Sequence, residues 1–420
     1  MPTKRVLIVS FYWPPSGGGG VQRWLKFAKL LPEHGWEPVV VTPSNPDVPV
    51  LDPSLAEDVL DGVEVWDFPV WEPSRFLRRL GLGGGTSRLG ADSRASTSRF
   101  SRFVRWVRGN LFVPDARIGW VSPTTQKVLR KLQHSPVDLV VTTGPPHSMH
   151  LIGLALKRAT GLPWVADFRD PWSTMDYLDD FGLSATSRKR IQHMERDVVN
   201  EADRVLVTSP GALEELGVPQ SKGAVIPNGW DRDDFPETPL LPPENGPRIL
   251  GHFGALYGSR NPQALWPALA QAGWKLLLAG PVTPEVLRDI QAAKVDFSHV
   301  GNLPHKKSVA QMHACHALLV THNNSKSARS STPGKVFECL ASTRPVLAFG
   351  PTDSDLERWC LSEGVGFVNH DDPRGQEQAR DWLLACEKAW ATPPHKGEQK
   401  FERHAITTDL ASVFNAVLRS

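Results

Sequence analysis

The 420-residue sequence is poor in cysteine: it has four, Cys315, Cys339, Cys360 and Cys386, all in the second half and none in CxxC spacing. That pattern excludes a disulfide framework and a cysteine zinc site, and leaves reduced structural thiols. Surplus charge is also missing, since 47 Lys and Arg face 45 Asp and Glu, giving a net charge of +2. Such a balance offers no general argument for nucleic acid as a partner. No apolar run reaches the roughly eighteen residues needed to cross a bilayer. MPTKR passes directly into the apolar run VLIVSF, so no signal peptide is expected and the chain reads as cytoplasmic. Two nucleotide motifs are incomplete. Gly17 and Gly19 fit GxGxxG but Gln22 occupies the third glycine position, the second strand EPVVVTPSN carries no acid for a ribose, and no GK[ST] completes a Walker A loop. Histidines 313, 316 and 322 are spaced too irregularly for a metal site and read as structural.

What is present is an α/β pattern long enough for two domains. Residues Arg5 to Phe11 form an apolar strand, and YWPPSGGGGVQR leads into an amphipathic helix with Trp24, Phe27, Ala28, Leu30 and Leu31 inward. This is the opening unit of a doubly wound sheet. The glycines at 17 to 20, Gly19 and Gly20 among them, allow a ligand to approach the backbone closely. Further on, VDLVVTT and GPPHSMH place His147 just past a strand's carboxyl end, the ligand-facing edge of a parallel sheet. There it either bonds a sugar hydroxyl or phosphate, or caps the following helix. The next strand ends in ADFRDPW, so Asp167, Arg169 and Asp170 either orient an acceptor hydroxyl or staple their loop.

In the second half, RILGHFGALYGSRNPQAL repeats the strand, Gly-rich loop and helix pattern, and includes Gly254 and Arg260. The stretch Ser330 to Gly350, SSTPGKVFECLASTRPVLAFG, is the most informative. A polar turn with Thr332 and Gly334 opens onto a helix with Val336, Phe337, Leu340 and Ala341 on one face, followed by the strand VLAF. Lys335 in the first turn, with the free N–H groups there, suits a phosphate or diphosphate. Glu338 is an acceptor for the hydroxyls of the sugar bearing it.

At these residues the chain resembles the nucleotide-sugar half of GT-B glycosyltransferases, in particular glycosyltransferase family 4. GKVFECLASTRPVLAF matches the family's Glu-bearing helix, small turn and Pro-Val strand. YWPPSGGGGVQR resembles the loop that faces the donor diphosphate, PPH and DFRDPW resemble motifs of bacterial polysaccharide-assembly members, and Pro227, Asn228, Gly229 and Asp231 resemble an IPNG-type turn. The resemblance implies two facing Rossmann-like domains: 1–235, a Pro-rich linker 236–247, a nucleotide-sugar domain 248–395, and a C-terminal helix, 396–420, crossing back. It implies retaining, metal-independent transfer from a UDP- or GDP-sugar, without cofactor, to a glycan or lipid-linked acceptor. Arg260, Lys335 and the amides at Gly334 and Thr332 would hold the diphosphate, and Glu338 the ribose. Gly19, Gly20, Gly254 and His147 would position the donor, and Asp167, Arg169 and Asp170 would face the acceptor. Eight positions before Glu338 many members carry a second Glu that contacts the donor sugar, and here Ser330 stands in its place. A nucleotide-sugar epimerase or hydrolase, and a non-catalytic sugar-binding protein, are the alternatives.

The segment 74–109 holds nine arginines and one acid, Asp92. Its first part is Gly/Ser-rich and expected to be mobile. Its second part, RFSRFVRWVRGNLF, puts Phe100, Phe103, Val104, Val107 and Leu111 on one helical face and Arg99, Arg102 and Arg105 on another, with Trp106 between. Such a helix either lies on an anionic membrane, on the inner face in this case, or packs on its own domain.

Overall fold

The structure, a computed structural model, describes residues 3–48, 51–72, 99–389 and 399–419. The Gly/Ser-rich stretch 74–98 lies outside the described residues. The chain divides into two units, Met1–Pro227 with Ile406–Ser420, and Asn228–Ala405. The division precedes residue 235 because the turn after Pro227 is bonded into the second unit. Trp230 N–H donates to Phe401 O, Arg403 N–H donates to Trp230 O, and His305 pairs with Asp234.

The first unit holds a seven-stranded parallel sheet of β1 (Lys4–Val9), β2 (Trp36–Pro43), β3 (Glu64–Phe68), β4 (Leu139–Thr143), β5 (Trp164–Arg169), β6 (Arg204–Val207) and β7 (Gly223–Val225). Their order is β3-β2-β1-β4-β5-β6-β7. The second unit holds β8 (Ile249–Phe253), β9 (Lys275–Ala279), β10 (Asp296–His299), β11 (Ala317–Thr321), β12 (Val346–Gly350) and β13 (Gly366–Asn369), in the order β10-β9-β8-β11-β12-β13. Helices cover both faces, which is why the strands read as continuous apolar runs instead of alternating ones. Along β1, Leu7 and Val9 enter the core on one face while Val6 and Ile8 enter the core on the other. Ile406, Leu410 and Phe414 of the last helix, Arg403–Val417, join that second core, with Phe414 edge-on to Trp36. The short edge strand β7 has too few residues to show a period and was not expected from the sequence. In both sheets the winding direction reverses once, between β1 and β4 and between β8 and β11. Helices diverge to opposite faces there, so loops at the carboxyl ends border an open crevice.

Two contacts set the geometry of the first reversal. Arg23, on the helix Gly19–Leu30, is 1% exposed and forks onto Asp167, which is 0% exposed, with Nε to Oδ2 and Nη2 to Oδ1 both at 3.0 Å. Asp167 also accepts from Trp24 Nε1 at 2.6 Å and Thr143 Oγ1 at 3.0 Å, tying the helix after the glycine loop to β4 and β5. Burial pushes this carboxyl up, but the Arg23 charge and hydrogen bond, with Trp24, outweigh it and hold it below the ordinary carboxylate value. Behind His147, Gly153 of the helix Ser148–Thr160 sits against Trp164. A Cβ there would stand 2.3 Å from Trp164 Nε1 and 2.6 Å from Thr142 Cγ2.

Asp167→Asn leaves the Arg23 guanidinium buried without its counter-charge, with the Pro227 carbonyl still accepting from Nη1 at 2.9 Å, and is expected to lower unfolding free energy by about 3 kcal/mol in urea titration. A depressed carboxyl stabilises above its unfolded pKa and loses that contribution as pH falls through its folded value. The variant should therefore lose less stability than the parent below about pH 4. For Gly153→Ala, the propensity gain of about 0.5–1 kcal/mol is opposed by overpacking of about 1–3 kcal/mol against a rigid indole. A lower Tm is expected by calorimetry.

Candidate functional site

At the second sheet's reversal the loops after β8 and β11 are laced together, since Asn324 N–H donates to Ser259 O at 2.6 Å. Arg260 closes the turn Gly258–Arg260, its Nε donating to Asn323 Oδ1 at 2.6 Å and its guanidinium lying 5.0 Å from the Tyr257 ring. Tyr257 Oη donates to the same Asn323 oxygen, at 3.1 Å. One loop thus orients the basic group of the other.

Lys335 is the first residue of the helix Lys335–Ala341, and its Nζ stands 2.6 Å from Glu338 Oε2. This helix has only seven residues, so charged side chains outweigh its dipole. Burial works against the Lys335 charge, and Glu338 more than offsets it, holding the amine above its ordinary value. His305 Nε2 lies 3.6 Å from Glu338 Oε1 and 3.2 Å from Asp234 Oδ2. Burial would lower His305, but the Asp234 hydrogen bond and the Glu338 charge hold it above the usual imidazole value. Basic and acidic side chains alternate here as Lys335, Glu338, His305 and Asp234.

Two histidines connect these pieces. His252, on β8, is pushed down to about 4 by burial, with Arg260 and Lys335 both opposing its protonation, so it lies within electrostatic reach of both cations. A carbonyl can only accept, so the 3.0 Å contact to Leu319 O puts the His252 proton on Nδ1. Its Nε2 is buried and meets no side-chain partner, with the Ala255 backbone beside the ring. It lies 3.9 Å from where a Cβ on Gly254 would be. His322, directly after β11, is held down to about 3, first by burial and then by Arg260, and its Nε2 contacts Ser331 Oγ at 2.9 Å. Sequence reading missed His252 and took His322 as structural. For His322 the available signal is a polar residue directly after a strand's carboxyl end beside the reversal, whereas His252 lies inside an apolar strand. Thr332 is half-buried in the approach to Lys335, while Gly334 is exposed, with the Asn228 side chain beside it. Gly280 brings its backbone against Gly254, where a Cβ would stand 2.3 Å from Gly254 O.

At the first sheet's reversal Gly19 opens the helix after the glycine loop, and a Cβ on Gly20 would meet Tyr12 at 3.3 Å and Arg169 Nη1 at 3.8 Å. The expectation that Asp167 faces an acceptor is corrected: its oxygens are committed to Arg23, Trp24 and Thr143 in the interior. Arg169 and Asp170 remain at the edge, half-buried, beyond a register shift in the β5–β6 pairing that leaves Arg169 at φ 56°. Burial holds the Asp170 carboxyl above its ordinary value, opposed by Arg169.

His147 does not cap its helix through its side chain; Asp115 does, accepting from Ser148 N at 2.8 Å. The imidazole is pushed down to about 4 by burial, and its Nδ1 is without a partner. Below it, Trp164 Nε1 donates to Thr142 Oγ1 at 2.9 Å, and the same hydroxyl lies 2.9 Å from His150 Nδ1. His150 is pushed down to about 3 by burial, and its Nε2 is without a partner. A Cβ on Gly144 would stand 2.8 Å from His147 Nδ1 and 2.9 Å from His150 Nε2, so Gly144 is what lets both rings reach this edge.

The helix Arg99–Leu111 packs through Gly109, where a Cβ would stand 2.6 Å from Phe181. The sequence placed Phe103 and Leu111 on an apolar face. They are 60% and 65% exposed, as is Trp106 at 45%, which stacks on Phe103. Arg102 is exposed and Arg105 half-buried, and the Arg99 side chain lies outside the described residues. Among the described residues no helix is long and apolar enough to cross a membrane, and no group of three or more His, Cys, Asp or Glu could hold a metal ion.

Similar folds occur in several solved structures. HepE from Anabaena, in complex with UDP and glucose, superposes with a TM-score of 0.63 at 15% identity, covering 98% of this chain and 100% of that one. Sucrose-phosphate synthase from Thermosynechococcus elongatus gives 0.66 at 16%, with 99% of each chain covered. The lipopolysaccharide outer core galactosyltransferase WaaB gives 0.60 at 13%, covering 98% and 99%. No curated protein matches the chain in sequence. Residues 18–229 match the model of the glycosyl transferase 4-like domain, a span running from the glycine loop to the turn after β7. With that match over half its length and two parallel α/β units of the GT-B type, the chain belongs to the glycosyl transferase 4-like family and is a glycosyltransferase.

Proposed function

We propose that this enzyme moves a sugar from a UDP- or GDP-sugar to a hydroxyl of a glycan or lipid-linked acceptor, with retention and without a metal. The observation that carries the donor assignment is the pair of basic side chains fixed at the second sheet's reversal, Arg260 by Asn323 Oδ1 at 2.6 Å and Lys335 by Glu338 Oε2 at 2.6 Å. Those cations take the diphosphate. Charge-assisted bonds to phosphate oxygens are the strong ones, and a guanidinium offers two in parallel. Glu338 takes the ribose hydroxyls. HepE was solved with UDP and glucose, which supports the same ligand class for this chain.

In the reaction the acceptor oxygen bonds to the anomeric carbon on the face from which the diphosphate departs. The anomeric C–O bond breaks with its electron pair going to the leaving phosphate, and the acceptor proton passes to a phosphate oxygen. Arg260 and Lys335 stabilise the charge that accumulates there, and the phosphate stabilises the oxocarbenium character of the sugar. His147, with the glycines at 19 and 20, positions the sugar, and Arg169 with Asp170 serves the acceptor. The exposed Phe103, Trp106 and Leu111, with Arg102 beside them, suit an anionic membrane surface on the cytoplasmic side, near a lipid-linked acceptor.

Calorimetric titration with UDP and GDP tests the donor site. Arg260→Ala and Lys335→Ala are each expected to weaken the preferred nucleotide roughly tenfold or more, and unchanged affinity in both would reject the assignment. Nucleoside diphosphate released only when acceptor is present supports transfer, whereas isomerised donor would support epimerisation. For the membrane role, Phe103→Asp with Trp106→Asp should abolish co-sedimentation with anionic vesicles at low salt. Failure of the parent protein to sediment would remove that role.

A further inference from the structure

Next to the Arg260 loop the second unit has a cavity of about 370 Å³ lined by Asn324, Ser325, Lys326, Arg329 and Pro351. It belongs to the same structural piece as the proposed diphosphate site. Asn323 holds Arg260 Nε, and the next residue, Asn324, bonds Ser259 through its backbone, so the cavity wall begins one residue from the Arg260 contact. Its chemistry is one-sided. The segment 323–334 contains Lys326 and Arg329 and no acid. Both cations are exposed, and among the described residues neither has a carboxylate partner. The nearest bonded acid, Asp371, is engaged by Asn324 Nδ2 at 2.9 Å. Ser325 Oγ is buried in the wall without a hydrogen-bond partner. Ser330, where a glutamate would bring negative charge, instead turns its hydroxyl to Ser327 O at 3.2 Å.

We propose that this cavity receives the glycosyl group of the donor and that this group carries a carboxylate, as in a uronic acid. The proposal rests on the nucleotide-sugar reading above. A neutral sugar would leave Lys326 and Arg329 without a counter-charge beside a diphosphate that already has Arg260 and Lys335. A uronyl carboxylate, one sugar ring away from the diphosphate, gives them one, and ring hydroxyls give Ser325 a partner.

Calorimetric titration of the full chain with two pairs of donors, UDP-glucose with UDP-glucuronate and GDP-mannose with GDP-mannuronate, tests this, with UDP and GDP as references. In the pair whose nucleotide binds, the uronyl donor is expected to bind roughly tenfold tighter than its neutral twin. The double variant Lys326→Met with Arg329→Met should remove that ratio while leaving UDP or GDP affinity within about twofold, as for exposed charges that do not touch the ligand. Equal binding of the twins overturns the proposal. So does a double variant that weakens the bare nucleotide as much as the uronyl donor, since the two cations would then serve the diphosphate. Absence of binding by both UDP and GDP would instead reject the nucleotide reading, and this inference with it.

Discussion

The reversal of winding in each parallel sheet is the constraint from which the remaining features follow. A crossover helix must pack on one face, and successive right-handed crossovers from a central strand proceed outward on that face. When the chain returns to the centre to wind the other way, the helices separate to opposite faces. The loops after β1 and β4, and those after β8 and β11, are left without a covering layer. Glycine loops, His147, Arg260 and His322 all lie in these four connections. The Arg23–Asp167 fork keeps one such connection in place, because it fixes the first helix to β5 beneath the edge it serves.

The first edge carries groups that a fold selected only for stability would avoid. His147 Nδ1 and His150 Nε2 are buried without hydrogen-bond partners. Each orphaned group costs on the order of 1–3 kcal/mol relative to a satisfied one. Burial keeps the rings of His147, His150, His252 and His322 neutral at pH 7, so they act as hydrogen-bonding groups and not as cations. The positive charge at the second edge comes from Arg260 and Lys335, whose stems are held by Asn323 and Glu338. Charge and hydrogen bonding are thus supplied by separate residues.

Much of this was legible in the sequence. Apolar runs next to amphipathic helices identified β1, β2, β4, β5, β8 and β12, and β7 escaped because three residues cannot display a period. The glycine loop, His147, Arg260 and Lys335 stood out because turn chemistry and strand ends are local signals. What stayed hidden depends on which way a side chain turns. Asp167 and Arg169 are two residues apart, and a strand's alternation alone would put them on one face. The register shift between them sends Asp167 into the core and leaves Arg169 at the edge. His252 lies inside an apolar strand with no neighbouring polar pattern, and its electrostatic setting depends on cations from two distant loops. The exposure of Phe103 and Trp106 likewise depends on Gly109 being the residue that docks the helix, which an apolar stripe does not reveal.

The cysteines carry a different implication. All four are buried, and all four lie between Asn228 and Ala405. Burial raises every one of them, Cys315, Cys339 and Cys386 to about 12, so the nucleophilic thiolate is scarce at neutral pH while the fold is closed. Alkylation must wait for the surrounding helices and strands to open. Without any engineered label, the rate of modification by a thiol reagent therefore clocks the opening of the unit Asn228–Ala405 alone, and the other unit is silent to it.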